Sequence, residues 1–548
     1  MSEVLVGPIL RHLDHYSATV WVELDRPGEV EILGATAPTF TVEGHHYAIV
    51  TIEGLEAGKA HPYEVSLDGE RLWPPTAYDL PQPVIRPVPE GGDITLAFGS
   101  CRVSAPHHPP YTWRKRWHPK GCGKDALLAY ALRMLRSPCS TWPDALLMLG
   151  DQLYADQPPE RVARQVAPRR VHPDGPVEVL EDFEEFTVGY RDVWGEPVVR
   201  WLLSNLPTSM IFDDHEIEDK WKTSQPWLDR MRQQDWYADR VFGGIMAYWI
   251  YQHLGNLSPT ELREDDVLHR LHELEDGGEY LRGWAEEAEQ QTDRSRFSFD
   301  RNIGSARLVV LDSRAGRTLG EGERRIMDRK EWKWVSDHAV SDKRHLILAS
   351  SLPFLLSRGM HDGEAWAEAV GNGAWGERFK SLGERARIAA NLDHWACFQD
   401  SYREFEQLVI DLAQGRCGRP PQSIVMLAGD VHHCWVSEVG LPAEEGPTET
   451  EIWQVVCSGL RKELKLNERL VLGFGHTGLA RVVGGILRRT ARVAPPRLRW
   501  RPISRRFFHN QIGTLIISGD EVGVKLEEIA GPWKDPRLAP MYEGKLSG

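Results

Sequence analysis

Cysteine is sparse in this sequence and never closely paired. The seven residues, Cys101, Cys122, Cys139, Cys397, Cys417, Cys434 and Cys457, form an odd set without one C-x-x-C spacing. That argues against a disulfide scaffold and for a reducing, cytoplasmic setting. Long apolar runs are missing as well: none approaches the ~18 residues a spanning helix needs. The opening MSEVLVGPILRHLDHY has no basic stretch followed by an unbroken apolar one, so no secretory signal is expected. Positive charge is in deficit, with 65 Lys+Arg against 80 Asp+Glu and a net charge of −15. A general nucleic-acid coat needs clustered cations to displace phosphate counterions, so no stable nucleic-acid binding is expected. What the chain has in plenty is aromatic material, 21 Trp, 14 Tyr and 15 Phe in 548 residues. Several cores can be built from it, and wholesale disorder is excluded.

Residues 1–80 read as a small all-β sandwich. Ala18–Leu24, 29–33, 47–52 and 63–67 alternate or are β-branched, and Asp68-Gly69 is a hairpin signal before Glu70–Trp73. The stretch 54–58 followed by Tyr63 resembles the tyrosine corner of a fibronectin- or Ig-like sandwich, in which the tyrosine ties the turn to the backbone. Residues 81–92 form a proline-rich linker. From 93 to 548 short apolar strands alternate with helical patterns such as 125–136 and 232–254, the texture of an α/β layered domain with strands covered on both faces. The acidic, helix-prone segment 261–291 is expected to be a solvated insertion.

Chemistry collects at the strand ends. Four apolar runs are followed by Gly99-Ser100-Cys101-Arg102, by Gly150-Asp151 with Tyr154 and Asp156, by Asp213-Asp214-His215-Glu216, and by Gly429-Asp430-Val431-His432-His433. In layered α/β folds the loops at the carboxyl ends of strands converge on one rim. Carboxylates, imidazole, phenolate and thiolate together are too anionic to share a dry pocket without cations. Two metals answer that, with one carboxylate bridging and a water made nucleophilic for attack on phosphorus. Tyr and Cys favour a trivalent or soft ion at one position, and oxygen donors a hard divalent ion at the other.

The order GSCR, GDQLYAD, DDHE, GDVHH resembles the alkaline phosphatase D (PhoD-like) family of calcineurin-like metallophosphoesterases, over about residues 1–530. The resemblance implies a dinuclear site of Fe3+ plus Ca2+ or another divalent cation. It implies hydrolysis of phosphate-ester small molecules, as phosphodiesterase or phosphomonoesterase, by a metal-bound hydroxide. Cys101 matches a thiolate iron ligand, Asp151 the bridging carboxylate, Tyr154 a tyrosinate ligand and His432 a further histidine ligand. Asp214 and Asp430 match holders of the second metal, and His215 the histidine that meets substrate and protonates the leaving oxygen. The middle histidine of the wider superfamily has no match after the 345–349 strand, and Asp219 has no assignment.

Other residues have two readings. Arg102 is either a bidentate phosphate clamp or a salt-bridge partner. Asp213 reads as a structural acceptor, and His433, on the face opposite His432, either as a support behind the metal ligands or as packing. A non-catalytic phosphate-sensing or partner-binding protein, and a hydrolase of a different ester, are the competing functions. Finally, 469–519 holds ten Arg with no Lys, Asp or Glu. Within it 479–492 reads as a basic amphipathic helix, either packed and solvated or, with the arginines as far as 506, a contact for anionic substrate or a membrane surface. Gly484-Gly485 weakens that helix by ~1 kcal/mol per glycine.

Overall fold

The N-terminal strands pair into two antiparallel sheets. The computed structural model, which describes residues 2–75, 79–173, 175–320 and 322–546, joins Val4–Leu13, Ala18–Leu24, His45–Ile52 and Phe40–Val42 in one. Ala35–Pro38, Glu29–Ile32, Val65–Leu67 and Glu70–Trp73 make the other. Val20, Val22, Val30, Ile32, Ala48 and Val50 fill the space between them. The strand Val4–Leu13 carries no clean signal because Gly7-Pro8 interrupts it; the pairing slips in register there, where a proline is tolerated.

The outer face of this sandwich packs on the larger domain. Trp21, Tyr47 and Ile49 enter that domain's core, and Trp21 meets Tyr251 with ring centres 5.2 Å apart. Glu23 accepts from Arg191 at 2.6 Å. The Tyr63 hydroxyl, expected to serve its own turn, donates to the Ser204 carbonyl oxygen at 2.7 Å. Buried on both faces, the strand Ala18–Leu24 exposes none of its residues. The proline-rich segment is docked too: Val84–Ile85 pairs with His61–Pro62, and the Val84 N–H donates to Asn205 Oδ1 at 2.9 Å.

Two sheets lie face to face in the larger domain. In the first, Ile94–Gly99, Ala145–Leu149 and Thr208–Ile211 run parallel, and Gln511–Ser518, Glu521–Ala530 and Arg537–Lys545 extend it antiparallel. In the second, Ala306–Leu311, His345–Ser350, Ser423–Ala428 and Glu451–Val456 run parallel. Phe299–Ile303 flanks them on one edge, Trp435–Gly440 and Arg499–Pro502 on the other. Residues two apart share a face, so Leu147, Leu149, Ile347 and Val425 meet between the sheets, while Leu146, Met148, Leu346 and Ile424 meet the helices outside. Both faces of the central parallel strands are buried and want apolar residues, which is why those runs are unbroken.

The helix Ala126–Leu135 starts where Asp125 accepts from the Leu127 and Leu128 N–H groups. The 232–254 pattern becomes the helix Tyr237–Tyr248 continued by one π turn, Trp249–His253. The acidic insertion corrects its expectation. It forms the helices Pro259–Glu264, Asp266–Glu273 and Gly278–Gln290, and buries Leu262, Leu268, Leu271, Leu281 and Ala285. Its Asp276 accepts from the Glu43 and Gly44 N–H groups of the sandwich.

Candidate metal centre

The carboxyl ends of the parallel strands bring the four clusters together. Cys101 Sγ lies 3.2 Å from Asp151 Oδ2 and 3.4 Å from the Asp430 carbonyl oxygen, and the Tyr154 hydroxyl donates to that same Oδ2 at 3.1 Å. Cys101, Asp151 and Asp430 offer ligand atoms within 4.8 Å of one another; so do Asp151, Asp214 and His215, and also Asp213, Asp214 and Asp430. Asp151 therefore belongs to two such groups.

Local backbone geometry explains how side chains from separate loops converge. Cys101, Asp151, Asp430 and His432 have φ of +58°, +55°, +60° and +53°, the left-handed region that non-glycine residues occupy only when surroundings over-determine it. The preceding glycines clear the approach. A Cβ on Gly150 (φ +91°) would lie 2.6 Å from Asp213 Cβ, and one on Gly429 2.4 Å from Ser100 Oγ.

Electrostatics state what the cluster lacks. Burial, and then the neighbouring carboxylates, push Asp151 and Asp430 well above the usual carboxylate range. Burial followed by Asp151 raises Cys101 and Tyr154 as well. Asp151 Oδ1, Asp213 Oδ2 and His432 Nδ1 are buried without a hydrogen-bond partner. A crowd of mutually repelling anionic donors with unused lone pairs fits cations, which would reverse those shifts.

Around this core the other residues take distinct parts. Arg314 pairs with Asp213 and Asp393 and lies 3.4 Å from Asp214 Oδ2, so Asp213 Oδ1 serves as a structural acceptor while its Oδ2 stays free. Glu216 accepts from the backbone N–H groups of Asp151, Gln152 and Asp213 at 3.1, 2.7 and 3.0 Å. His215 Nδ1 is held by the Asp156 carboxylate at 2.8 Å. Burial opposes a charge on His215, but Asp151, Asp156 and Asp214 raise its pKa well above the usual value. His432 donates its N–H to Ser458 Oγ at 3.0 Å and lines the cavity, though outside the three tight groups. His433 is packed, its ring 4.7 Å from Trp435 and 5.2 Å from Phe508.

Arg102 is no phosphate clamp. Its guanidinium is committed to Asp125 at 2.8 Å and to the Val193 carbonyl at 2.8 Å, leaving the side chain 2% exposed. It braces the Cys101 loop on the helix cap and does not line the cavity. A cation on the cavity side of the cluster is Lys462, whose Nζ stands 4.1 Å from the Tyr154 ring centre.

His394 had no sequence signal, since it sits between two helices and follows no strand. Its Nε2 is buried without a hydrogen-bond partner, 3.7 Å from Asp430 Oδ2, and Nδ1 meets Glu364 at 2.7 Å. Burial lowers its pKa, but Glu364, Asp393 and Asp430 outweigh that and bring it to about 9. Asp214, His215, Asp219, His394, Asp430 and Lys462 face one open cavity of about 1170 Å³.

Comparisons with known proteins give the family and the fold. Residues 1–85 match a domain of unknown function, DUF7800, and residues 128–473 match the PhoD-like phosphatase family. The solved structure of PhoD is similar over 100% of this chain and 90% of its own, with a TM-score of 0.58 at 13% identity, a likeness of fold. The purple acid phosphatase PPD1 from yellow lupin (Lupinus luteus) seeds is similar over 98% of this chain and 74% of its own, with a TM-score of 0.49 at 11% identity. No curated protein sequence matches. With the family match covering well over half of its length, the chain belongs to the PhoD-like phosphatases.

Proposed function

We propose that this phosphoesterase works with two metal ions, Fe3+ and Ca2+ or another divalent cation, on phosphodiesters and phosphomonoesters of small molecules. The observation that carries the reading is the overlap of the three groups: Asp151 shares one with Cys101 and Asp430 and another with Asp214, while Asp214 and Asp430 share the third. In this reading Cys101, Tyr154 and His432 would hold one ion, Asp214 and Asp430 would hold the other, and Asp151 would be shared between them. The metal pair supplies charge neutralisation for phosphoryl oxygens and acidifies a water.

The chain's own residues do the rest. With Nδ1 fixed by Asp156, His215 has Nε2 left to give a proton to the leaving oxygen. Lys462 offers an ammonium to a phosphate oxygen at the same side of Tyr154. Arg314 holds Asp213 through Oδ1. The protein is read as working in a reducing, cytoplasmic compartment, a reading that its seven free thiols support.

Metal analysis of purified protein, a visible spectrum and a monoester and diester panel test this together. A Tyr- and Cys-ligated ferric ion should absorb in the visible, and Asp151→Asn should lose both metals and hydrolysis. Colourless, iron-free protein with full activity would overturn the iron assignment. Metal loss in Asp151→Asn without loss of hydrolysis would overturn the mechanism.

A further inference from the structure

The helix Gly478–Thr490 turns its apolar stripe outward. Leu479, Val482, Val483 and Ile486 follow the i, i+3, i+4, i+7 spacing that gathers side chains on one face. All are exposed, Leu479 to 62%, Val482 to 59% and Ile486 to 53%. The face that packs is the small one. Ala480 and Gly484 rest on Gly359 of the helix Arg358–Gly371, so closely that a Cβ on Gly484 would come 2.5 Å from the Gly359 carbonyl oxygen.

The preceding helix, Leu466–Gly475, behaves alike. Leu466, Leu470 and Phe474 lie four residues apart and all are exposed. Among the described residues, seven of the 19 exposed large apolar ones thus fall between 466 and 486, whereas scattered single ones need no explanation. The pair bends by 72° at its break. Its first arm reaches the catalytic cavity, where Leu464, Lys465, Glu468 and Leu472 form part of the wall.

Charge says what covers this surface. Arg488, Arg497 and Arg501 are neutralised by Asp362, Glu445 and Glu438. Arg481, Arg489, Arg492 and Arg505 are exposed and, among the described residues, enter no ion pair. A symmetric contact with a second copy would set these unpaired arginines against one another, with no acid between residues 469 and 519 to relieve them. Phosphate headgroups above an acyl layer match both features: arginines at the phosphates, Leu, Val, Ile and Phe in the boundary beneath. No single helix among the described residues is long and apolar enough to cross a membrane.

We propose that the helical pair 466–490 docks the mouth of the catalytic cavity on an anionic lipid bilayer. Docking does not depend on which ester is cleaved. The test is co-sedimentation of the full chain with mixed phosphatidylcholine–phosphatidylglycerol vesicles and with pure phosphatidylcholine vesicles. The wild type should pellet with the anionic vesicles at low salt and much less with the neutral ones. The double variant Val482→Asp/Ile486→Asp, and separately Arg481→Glu/Arg489→Glu/Arg492→Glu, should each weaken binding about tenfold or more. Both should keep the wild-type melting temperature and hydrolysis of a soluble nitrophenyl phosphate ester, which separates failure of docking from failure of the catalytic reading. Wild-type protein that stays in the supernatant with anionic vesicles would overturn the proposal. So would variants that bind as well as wild type, or a dimer by light scattering that Val482→Asp/Ile486→Asp splits without any vesicle binding.

Discussion

A carboxylate oxygen of Asp156 lies 2.8 Å from Nδ1 of His215, and the two residues come from loops after different strands. The pair fixes the ring, whose centre is also 4.4 Å from that of Tyr154, and it favours the imidazolium. Asp156→Asn should therefore cost about 10- to 100-fold in kcat with little change in KM, as loss of an orienting partner does. The loss should be larger for a poor leaving group than for nitrophenolate, because only the former needs the proton. The sign of the pH effect follows from Asp156 raising the His215 pKa. If the protonated ring is the working form, activity falls as pH rises through that pKa, and the variant should bring the fall to lower pH. Steady-state kinetics across pH with two leaving groups check both points.

Arg102 and Asp125 give a contrasting prediction, in stability and not in catalysis. Removing one partner of a buried pair strands the other, at about 3–5 kcal/mol. Arg102→Met should lower the melting temperature by many degrees, while residual folded protein keeps its KM. Asp125 is held down to about 2: burial raises its pKa, but Arg102, His107 and Arg461 lower it further. A depressed folded pKa means its stabilisation is present above the ordinary 3.8 and is lost as pH falls towards 2. Thermal melts between pH 2 and 4 should show that loss in the wild type and not in Arg102→Met.

The strand-end clusters were legible because each breaks an apolar run with glycine or paired acids and then polar donors, a pattern local in sequence. Cys101, Asp151, Tyr154, Asp214 and Asp430 accordingly fall together. What was not legible depends on closure of the fold. Arg102 follows Cys101 directly, and nothing in its neighbourhood tells which side of the loop it takes. Arg314 and His394 reach the centre from loops whose partners, Asp213 and Asp430, lie 101 residues and a helix and a strand away. The helix over 479–492 was legible as amphipathic, but the usual rule sends its apolar stripe inward. Ala480 and Gly484 win that face because only small residues let it approach Gly359.

Glu331 yields a pH dependence of opposite sign to Asp125. Its Oε1 accepts from the Ser298 N–H at 2.8 Å while Oε2 is buried without a partner. Burial, and then Asp312, raise its pKa to about 8. An acid with a raised folded pKa binds its proton more tightly in the folded state. Stability should then fall as pH rises from the ordinary 4.5 towards 8, by about 1.4 kcal/mol per unit while only this group differs. Glu331→Gln keeps an acceptor for Ser298 and cannot ionise. Its melting temperature should be flatter between pH 5 and 8 than that of the wild type, and higher at the alkaline end.

The neighbours Gly484 and Gly485 should respond oppositely to the same substitution. A Cβ on Gly484 meets the Gly359 backbone oxygen at 2.5 Å, whereas the nearest atom to one on Gly485 is Asp362 Oδ2 at 3.8 Å. Gly484→Ala must therefore push the helix Gly478–Thr490 off its support, at about 1–3 kcal/mol by the usual cost of overpacking. Gly485→Ala meets no clash and gains about 1 kcal/mol of helix propensity. Brief trypsin digestion reads the difference at Arg481 and Arg489, both exposed on that helix. Cleavage there should quicken in Gly484→Ala and slow in Gly485→Ala. Equal rates in the two variants would mean that the helix does not rest on Gly359 in solution.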